Sequence, residues 1–262
     1  MAENPLARPP RVLVPELTDL LRSSEETLEI SLKVEERDHV RSRRLRDGDE
    51  VVALDGKGAR AAAQIARGGA AIALLPSKKI SSSSSLCSSS SSSTPSPLPG
   101  EPANRVTILL ACAEPARIEW AIEKGTECGA AGFVLLDAER SQRAHVAALA
   151  KRIPRLVRIA EEATKQCDRT LVPFVEGPKS TEDFLRRGRG EILLIADPAG
   201  APLRVVPGGR EAILAIGPEG GFSPSELLLF KESHSLLFSL GPRILRLETA
   251  VVVALARLVD PR

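Results

Sequence analysis

Hydrophobic and polar positions follow two different rhythms along this chain. In Leu28-Glu29-Ile30-Ser31-Leu32-Lys33-Val34 apolar and polar residues alternate one by one, the period of a half-buried strand. Val51-Val52-Ala53-Leu54, Ala59 to Ile65 and Ala71 to Leu75 are further short apolar runs. Between the first two, Asp55-Gly56-Lys57-Gly58 has the composition of a hairpin turn. Short strands at this density predict a compact β-barrel of roughly 60 to 70 residues. Among them, Asp38-His39-Val40-Arg41-Ser42-Arg43-Arg44-Leu45-Arg46 predicts a short helix carrying four arginines.

From Val106 the rhythm changes to strands alternating with helices. The pattern predicts strands at Val106 to Ala111, Gly132 to Leu136, Leu171 to Val175, Glu191 to Ala196, Ala212 to Ile216 and Leu236 to Leu240. Helices are expected at Pro115 to Cys128, in a long stretch after Leu136 to about Gln166, then at Ser180 to Arg187, Pro224 to Glu232 and Thr249 to Val259. Such alternation predicts an α/β domain with a mostly parallel sheet. Ligands of such sheets bind beyond the carboxyl ends of the strands.

The two rhythms are separated by Ser77 to Asn104, where serine tracts lead into Thr94-Pro95-Ser96-Pro97-Leu98-Pro99-Gly100. This composition cannot bury enough apolar surface to offset the entropy of ordering. The expected organisation is therefore a small domain at residues 1–76, a Ser/Pro-rich disordered insertion or linker at 77–104, and an α/β domain at 105–262. Homopolymeric serine of this kind points weakly to a eukaryotic source.

Composition changes this picture little. The 262 residues include 27% charged and 43% hydrophobic side chains, with a formal charge of +2. That is too small to announce a polyanionic partner, so any nucleic-acid surface must come from local clustering. Cys87, Cys112, Cys128 and Cys167 have neither the close pairing of a zinc site nor the density of a secreted disulfide scaffold, so no metal is expected. No run has the length of a membrane span, the N-terminus lacks the apolar core of a secretory signal, and residues 1–20 make a poor transit peptide because Glu3, Glu16 and Asp19 interrupt them.

Two loops carry the candidate chemistry. In the first, the apolar run Ile213 to Ile216 leads into Gly217-Pro218-Glu219-Gly220-Gly221-Phe222-Ser223-Pro224-Ser225-Glu226. Ser223 and Glu226 have capping-box spacing and Pro224 suits the first helical position. A phosphate is the usual guest at such a helix start, but the carboxylate of Glu219 opposes one, and neither Gly-Lys-Ser/Thr nor Gly-x-Gly-x-x-Gly is present. A ligand that is neutral or cationic near Glu219, such as a sulfonium, suits the charge better. Read alone, the pentapeptide is equally a tight turn.

The second loop, Leu240-Gly241-Pro242-Arg243-Ile244-Leu245-Arg246-Leu247-Glu248-Thr249-Ala250, again joins a strand to a helix. It follows the first by about one strand–helix–strand unit, so both are expected to flank one crevice. Taken separately, Arg243 and Arg246 are equally solvated side chains, and Glu248 or Thr249 a helix cap.

Together the two loops resemble the RsmE-type ribosomal RNA small-subunit methyltransferases. Arg117 to Gly129 and Glu162 to Thr170 before Val172-Pro173 extend the resemblance, which covers the chain apart from its extreme N-terminus and the serine insertion. The resemblance implies a SPOUT-type, trefoil-knotted C-terminal α/β domain, a small N-terminal PUA-like β-barrel and a homodimer. It further implies methylation of N3 of a uridine in small-subunit (16S-type) rRNA, free or in the pre-ribosomal small subunit, from S-adenosyl-L-methionine. Cofactor contacts are expected at Ile216, Gly217, Glu219, Gly220, Gly221, Leu240, Gly241, Ile244 and Leu245. Arg246 is the leading candidate to favour the uracil anion, with Glu248 orienting it or accepting a proton. Arg41, Arg43, Arg44 and Arg46 are candidates for RNA phosphates.

The sequence also departs from the family. Arg11-Val12-Leu13-Val14 stands in place of an aromatic N-terminal segment, and His39 in place of a His-His pair. Two alternatives therefore stay open: a knotted methyltransferase with another RNA target, such as a ribose 2′-hydroxyl, and a non-catalytic RNA-binding assembly protein. Organellar localisation is expected for a eukaryotic chain of this type, with the cytoplasm as the alternative.

Overall fold

The computed structural model describes residues 9–23, 28–75, 100–186, 191–202 and 211–259. Most of the expected linker, 76–99, lies outside them. The chain divides into two compact units, the first taking in Gly100 and residues 165–171 besides the N-terminal residues, the second the remainder from 101.

In the first unit, β1 (Arg11–Leu13), β2 (Glu29–Ser31), β3 (Glu50–Leu54), β4 (Arg60–Ala66) and β5 (Ala71–Leu74) form one half-barrel sheet in the order β1-β3-β4-β5-β2. β1 runs parallel to β3 and the other pairs are antiparallel. The β3–β4 hairpin turns on Asp55, whose Oδ1 accepts from the backbone N–H groups of Lys57 and Ala59 at 2.7 and 2.9 Å. This is an Asx arrangement, in which the side chain imitates a backbone turn. The helices are α1 (Leu17–Ser23) and α2 (Val34–Ser42).

Two local expectations for this unit need correction. The alternation through Leu32-Lys33-Val34 does not continue as strand, because Lys33 takes the N-cap of α2 and Val34 begins the helix, largely exposed. The arginine cluster is also not one helix face. Arg41 lies in the last turn and Arg43 is the C-cap, while Arg44 has φ +56° and Arg46 follows beyond the turn. The N–H groups of Arg44 and Leu45 donate to Arg41 O (2.9 Å) and Val40 O (3.1 Å), the pairing of a Schellman stop. Leu45 packs against the same apolar cluster as Val40, which ends the helix where it does.

The matched segment Glu162 to Thr170 contributes its latter part to this unit. Lys165 Nζ donates to Glu36 Oε1 at 2.8 Å with both side chains buried, and Glu36 Oε2 accepts from Leu13 N. Arg11 donates to Lys165 O at 2.6 Å and pairs with Asp168. Each buried charge thus has a partner, without which burial would be costly.

The second unit is a parallel sheet covered on both faces. Its strands are β6 (Arg105–Ala111), β7 (Gly132–Asp137), β8 (Phe174–Ser180), β9 (Ile192–Pro202), β10 (Glu211–Ile216) and β11 (Leu236–Ser239), in the order β11-β9-β10-β6-β7-β8, and every pairing is parallel. Helices α3 (Pro115–Glu127), α4 (Arg143–Cys167) and α7 (Leu247–Leu258) bury Ile118, Leu149 and Val251 with Ile108, Phe133 and Leu214 on one face. Helices α5 (Thr181–Leu185) and α6 (Pro224–Glu232) bury Phe184 and Phe230 with Leu109, Val134 and Ile213 on the other. Consecutive residues of one strand therefore feed opposite cores, which explains why these runs are apolar throughout rather than alternating. Each fully buried Leu, Ile or Phe contributes about 1.5–3 kcal/mol.

The strand order matters for the site. β11 pairs with β9, not with β10, so the chain leaving β11 must return past β9 and β10 to reach α7, which packs on α3 and against β6 and β10. The same return carries residues 240–246. β9 also bulges here, since the register jumps from Leu237↔Ile195 to Phe238↔Ala201. That leaves Ala196 to Gly200 without register partners in β11.

Candidate cofactor and substrate site

The carboxyl end of β10 opens into the glycine loop. Gly221 N–H donates to Pro218 O at 2.8 Å, closing a turn over Glu219 and Gly220, so the tight turn is real. Gly217 is needed for close approach: a Cβ there would meet the Phe222 ring at 3.2 Å. The start of α6 then forms the expected capping box, with Ser223 Oγ accepting from Glu226 N (3.1 Å) and Glu226 Oε2 from Ser223 N (2.9 Å). Glu226, 1% exposed, does more than cap. Its Oε1 accepts from Thr181 Oγ1 (2.9 Å) and from Glu139 N (3.1 Å), so one carboxylate joins the loops after β7, β8 and β10. The hydroxyls of Ser223 and Ser225 in turn hold the Glu139 carboxyl below its ordinary range.

The second wall is the return segment after β11. Gly241 has φ +125° with open space around it, a conformation other residues adopt only under strain. Ser239 Oγ and Gly241 N–H lie 3.2 Å apart in a local turn. Arg246 is the N-cap of α7, and Ile244 is 95% exposed.

These walls enclose a cavity of about 590 Å³, within the range of small-ligand sites. All nine residues expected at a cofactor, Ile216, Gly217, Glu219, Gly220, Gly221, Leu240, Gly241, Ile244 and Leu245, line it, as does Arg246. Glu248 does not, and among the described residues its buried Oε2 has no hydrogen-bond partner. The cluster Arg41, Arg43, Arg44 and Arg46 belongs to the other unit.

Several lining residues stand outside the two loop motifs. Arg117 reaches in from the start of α3, Arg140 from the loop after β7, and Asp197 with Ala196 and Pro198 from the β9 bulge. Arg117 lies in a matched segment without having signalled a role, and the other four carry no local signal at all. Arg117 alters the electrostatic argument, because its Nη1 donates to Glu219 Oε1 at 2.9 Å. The Glu219 charge is largely answered within the protein, so the preference for a cationic guest cannot rest on it alone. Asp197 adds a second carboxylate to the wall. Arg140 Nη1 donates to Gly220 O at 2.5 Å, which fixes the loop from the opposite side.

Cys112, just beyond β6, is not available for thiolate chemistry: burial, then the Asp137 charge, pushes its thiol up to about 12. Among the described residues no group of His, Cys, Asp or Glu is placed to hold a metal ion, and no helix is long and apolar enough to cross a membrane.

Residues 100–259 match the family model of the RNA methyltransferase domain. The chain belongs to that family. It is 33% identical over 156 residues to ribosomal RNA small subunit methyltransferase E of Bacillus subtilis, an alignment covering 53% of this chain and 59% of that protein. The chain thus spans about three-fifths of the length of the curated relatives it matches. A Legionella pneumophila protein described as a methyltransferase, solved with bound S-adenosylmethionine, is 25% identical with a TM-score of 0.75, covering 95% of this chain and 96% of that one. Ribosomal RNA small subunit methyltransferase E of Neisseria gonorrhoeae shares the fold, with a TM-score of 0.77 at 22% identity over 95% of this chain and 96% of that one.

Proposed function

We propose that this protein is an S-adenosyl-L-methionine-dependent RNA methyltransferase that modifies N3 of a uridine in small-subunit rRNA. The observation that carries the reading is that the glycine loop and the arginine-bearing return segment line one cavity in a chain of the RNA methyltransferase domain family.

The lining fits such a cofactor. Ile216, Phe222, Leu240, Leu245 and Leu247 offer apolar surface for an adenine, the turn at residues 217–221 offers main-chain groups, and Asp197 faces the cavity with a carboxylate suited to a ribose hydroxyl or an ammonium. When bound, the cofactor would supply an activated methyl group on a sulfonium. The chain must then hold the uracil in line and favour loss of its weakly acidic N3 proton. Arg246, at the N-cap of α7 and on the cavity wall, stabilises the uracil anion with its fixed positive charge. With the N3 proton released to solvent, Arg246 would hold the anionic uracil in place to receive the methyl group that the bound cofactor would supply. Glu248 lies off the wall, so we assign it the positioning of the α7 start, where a carboxylate complements the helix dipole.

The proposal extends to the whole molecule. Residues 1–76 form a PUA-like RNA-binding domain in which Arg41, Arg43, Arg44 and Arg46 contact phosphates, 77–104 are the linker, and 105–262 are a knotted SPOUT domain. The passage of the chain from β11 back over β9 and β10 to α7 supports the knot. The exposed apolar side chains of Trp120 and Ile244 support a homodimer that covers them. Isothermal titration of the folded protein with S-adenosylmethionine tests the reading: one site per chain is expected, and a folded chain that takes up none would sink it.

A further inference from the structure

Arginines outnumber carboxylates around the cavity. Arg117, Arg140, Arg243 and Arg246 line it, against Asp197 and Glu219. Arg117 is paired with Glu219, which leaves three lining guanidiniums against the Asp197 carboxylate on the wall and that of Glu139 beside Arg140. A cationic cofactor does not balance that excess, whereas a polyanionic second ligand does.

The two walls differ in how their arginines are held. Arg140, exposed at the end of the loop after β7, lies across Gly220, with its Cδ 3.5 Å from where a Cβ would stand. One of its five N–H donors is given to Gly220 O, leaving the rest of the fork open. On the facing wall Arg243 is exposed, and among the described residues its side chain makes no hydrogen bond or ion pair. Each wall of the cavity therefore presents one arginine with unused donors at the surface, and planar guanidinium forks match phosphate oxygens.

We infer that Arg140 and Arg243 form a phosphate grip on the catalytic unit itself, holding the RNA backbone on either side of the target nucleotide while its base enters the cavity. The inference rests on the methyltransferase reading above and adds to it a strand-binding surface distinct from the Arg41 to Arg46 cluster. Arg140 serves twice, fixing the glycine loop through Gly220 and meeting the strand.

The test is fluorescence anisotropy of a labelled single-stranded oligoribonucleotide titrated with full-length protein at several salt concentrations, with S-adenosylhomocysteine present. Calorimetry of S-adenosylhomocysteine is run on the same samples. Arg140→Gln and Arg243→Gln should each weaken RNA binding several-fold and lower the slope of log K against log salt by about 0.7, the loss of one phosphate contact on a single strand. Arg243→Lys, which keeps the charge, should keep the slope. Cofactor affinity should stay within about twofold for Arg243→Gln, a change far below the factor of ten that 1.4 kcal/mol would bring. Wild-type protein that binds no RNA, or variants that retain both affinity and slope, would overturn the grip. So would an Arg140→Gln variant that loses only cofactor affinity. Loss of RNA slope in a protein that takes up no cofactor would leave the grip standing and defeat the methyltransferase reading instead.

Discussion

Replacing Glu226 with Gln tests whether one buried carboxylate holds the cofactor loop in place. Glu226 Oε1 accepts from Thr181 Oγ1 and Glu139 N, and Oε2 from Ser223 N, at a residue 1% exposed. A Gln side chain of the same shape keeps one carbonyl oxygen, which in its best orientation retains the two bonds at Oε1. Its NH2 group then faces the Ser223 N–H, donor against donor. One charge-assisted hydrogen bond is lost and a buried donor is stranded, at about 2–3 kcal/mol. At roughly 2–4 °C per kcal/mol for a chain of this size, the melting temperature should fall by roughly 4–12 °C. Because Ser223 begins the helix that follows the glycine loop, affinity for S-adenosylmethionine should fall as well. Differential scanning calorimetry and titration calorimetry on the same preparations supply both numbers. A variant that melts within about 1 °C of the parent and binds cofactor equally well would refute the hub, since even one ordinary hydrogen bond is worth about 0.5–1.5 kcal/mol.

Further outcomes follow from the same geometry. Gly241→Ala should lower cofactor affinity by roughly tenfold, since a side chain at φ +125° costs about 1–3 kcal/mol. Its melting temperature should hardly change, because the exposed segment can relax; titration calorimetry with a thermal melt checks both. Glu119 is gripped by Arg155 and Arg152, and the hydrogen bond from Arg155 above all holds its carboxyl below the ordinary range. With the folded value depressed, the pairing stabilises the fold fully above the ordinary carboxylate pKa and is lost as the pH falls through the folded value. Urea denaturation of Glu119→Gln across the acid range should therefore show a shallower pH dependence. Its deficit near neutrality should be under about 1 kcal/mol, because both arginines are substantially exposed.

The sequence carries the second unit's layout in the apolar runs themselves, because strands buried on both faces leave nothing to alternate. It carries much less of the first unit. β1 has three residues and α1 seven, too few to display a period, and the alternation at Leu28 to Val34 runs past the strand because periodicity cannot see the N-cap at Lys33. The four arginines from Arg41 to Arg46 are spaced as if for one helix, but the left-handed turn at Arg44 divides them. In the site, both walls are legible because each is a continuous loop motif. Arg140 and Asp197 are not, since Arg140 arrives from the loop after β7, across β6 from β10, and Asp197 through the placement of β9 between β10 and β11. The charge reading of Glu219 fails for a related reason: its partner, Arg117, stands far from it in sequence.

Methyl transfer to N3 of a uridine is read out by mass spectrometry of nucleosides. Unmodified small-subunit rRNA is incubated with S-adenosylmethionine and either the protein or its Arg246→Ala variant, then digested to nucleosides. 3-Methyluridine is expected from the parent protein and its near absence with Arg246→Ala, although that variant still binds cofactor. Formation of 2′-O-methyluridine, or of no methylated nucleoside by a protein that binds both S-adenosylmethionine and RNA, would contradict transfer to N3.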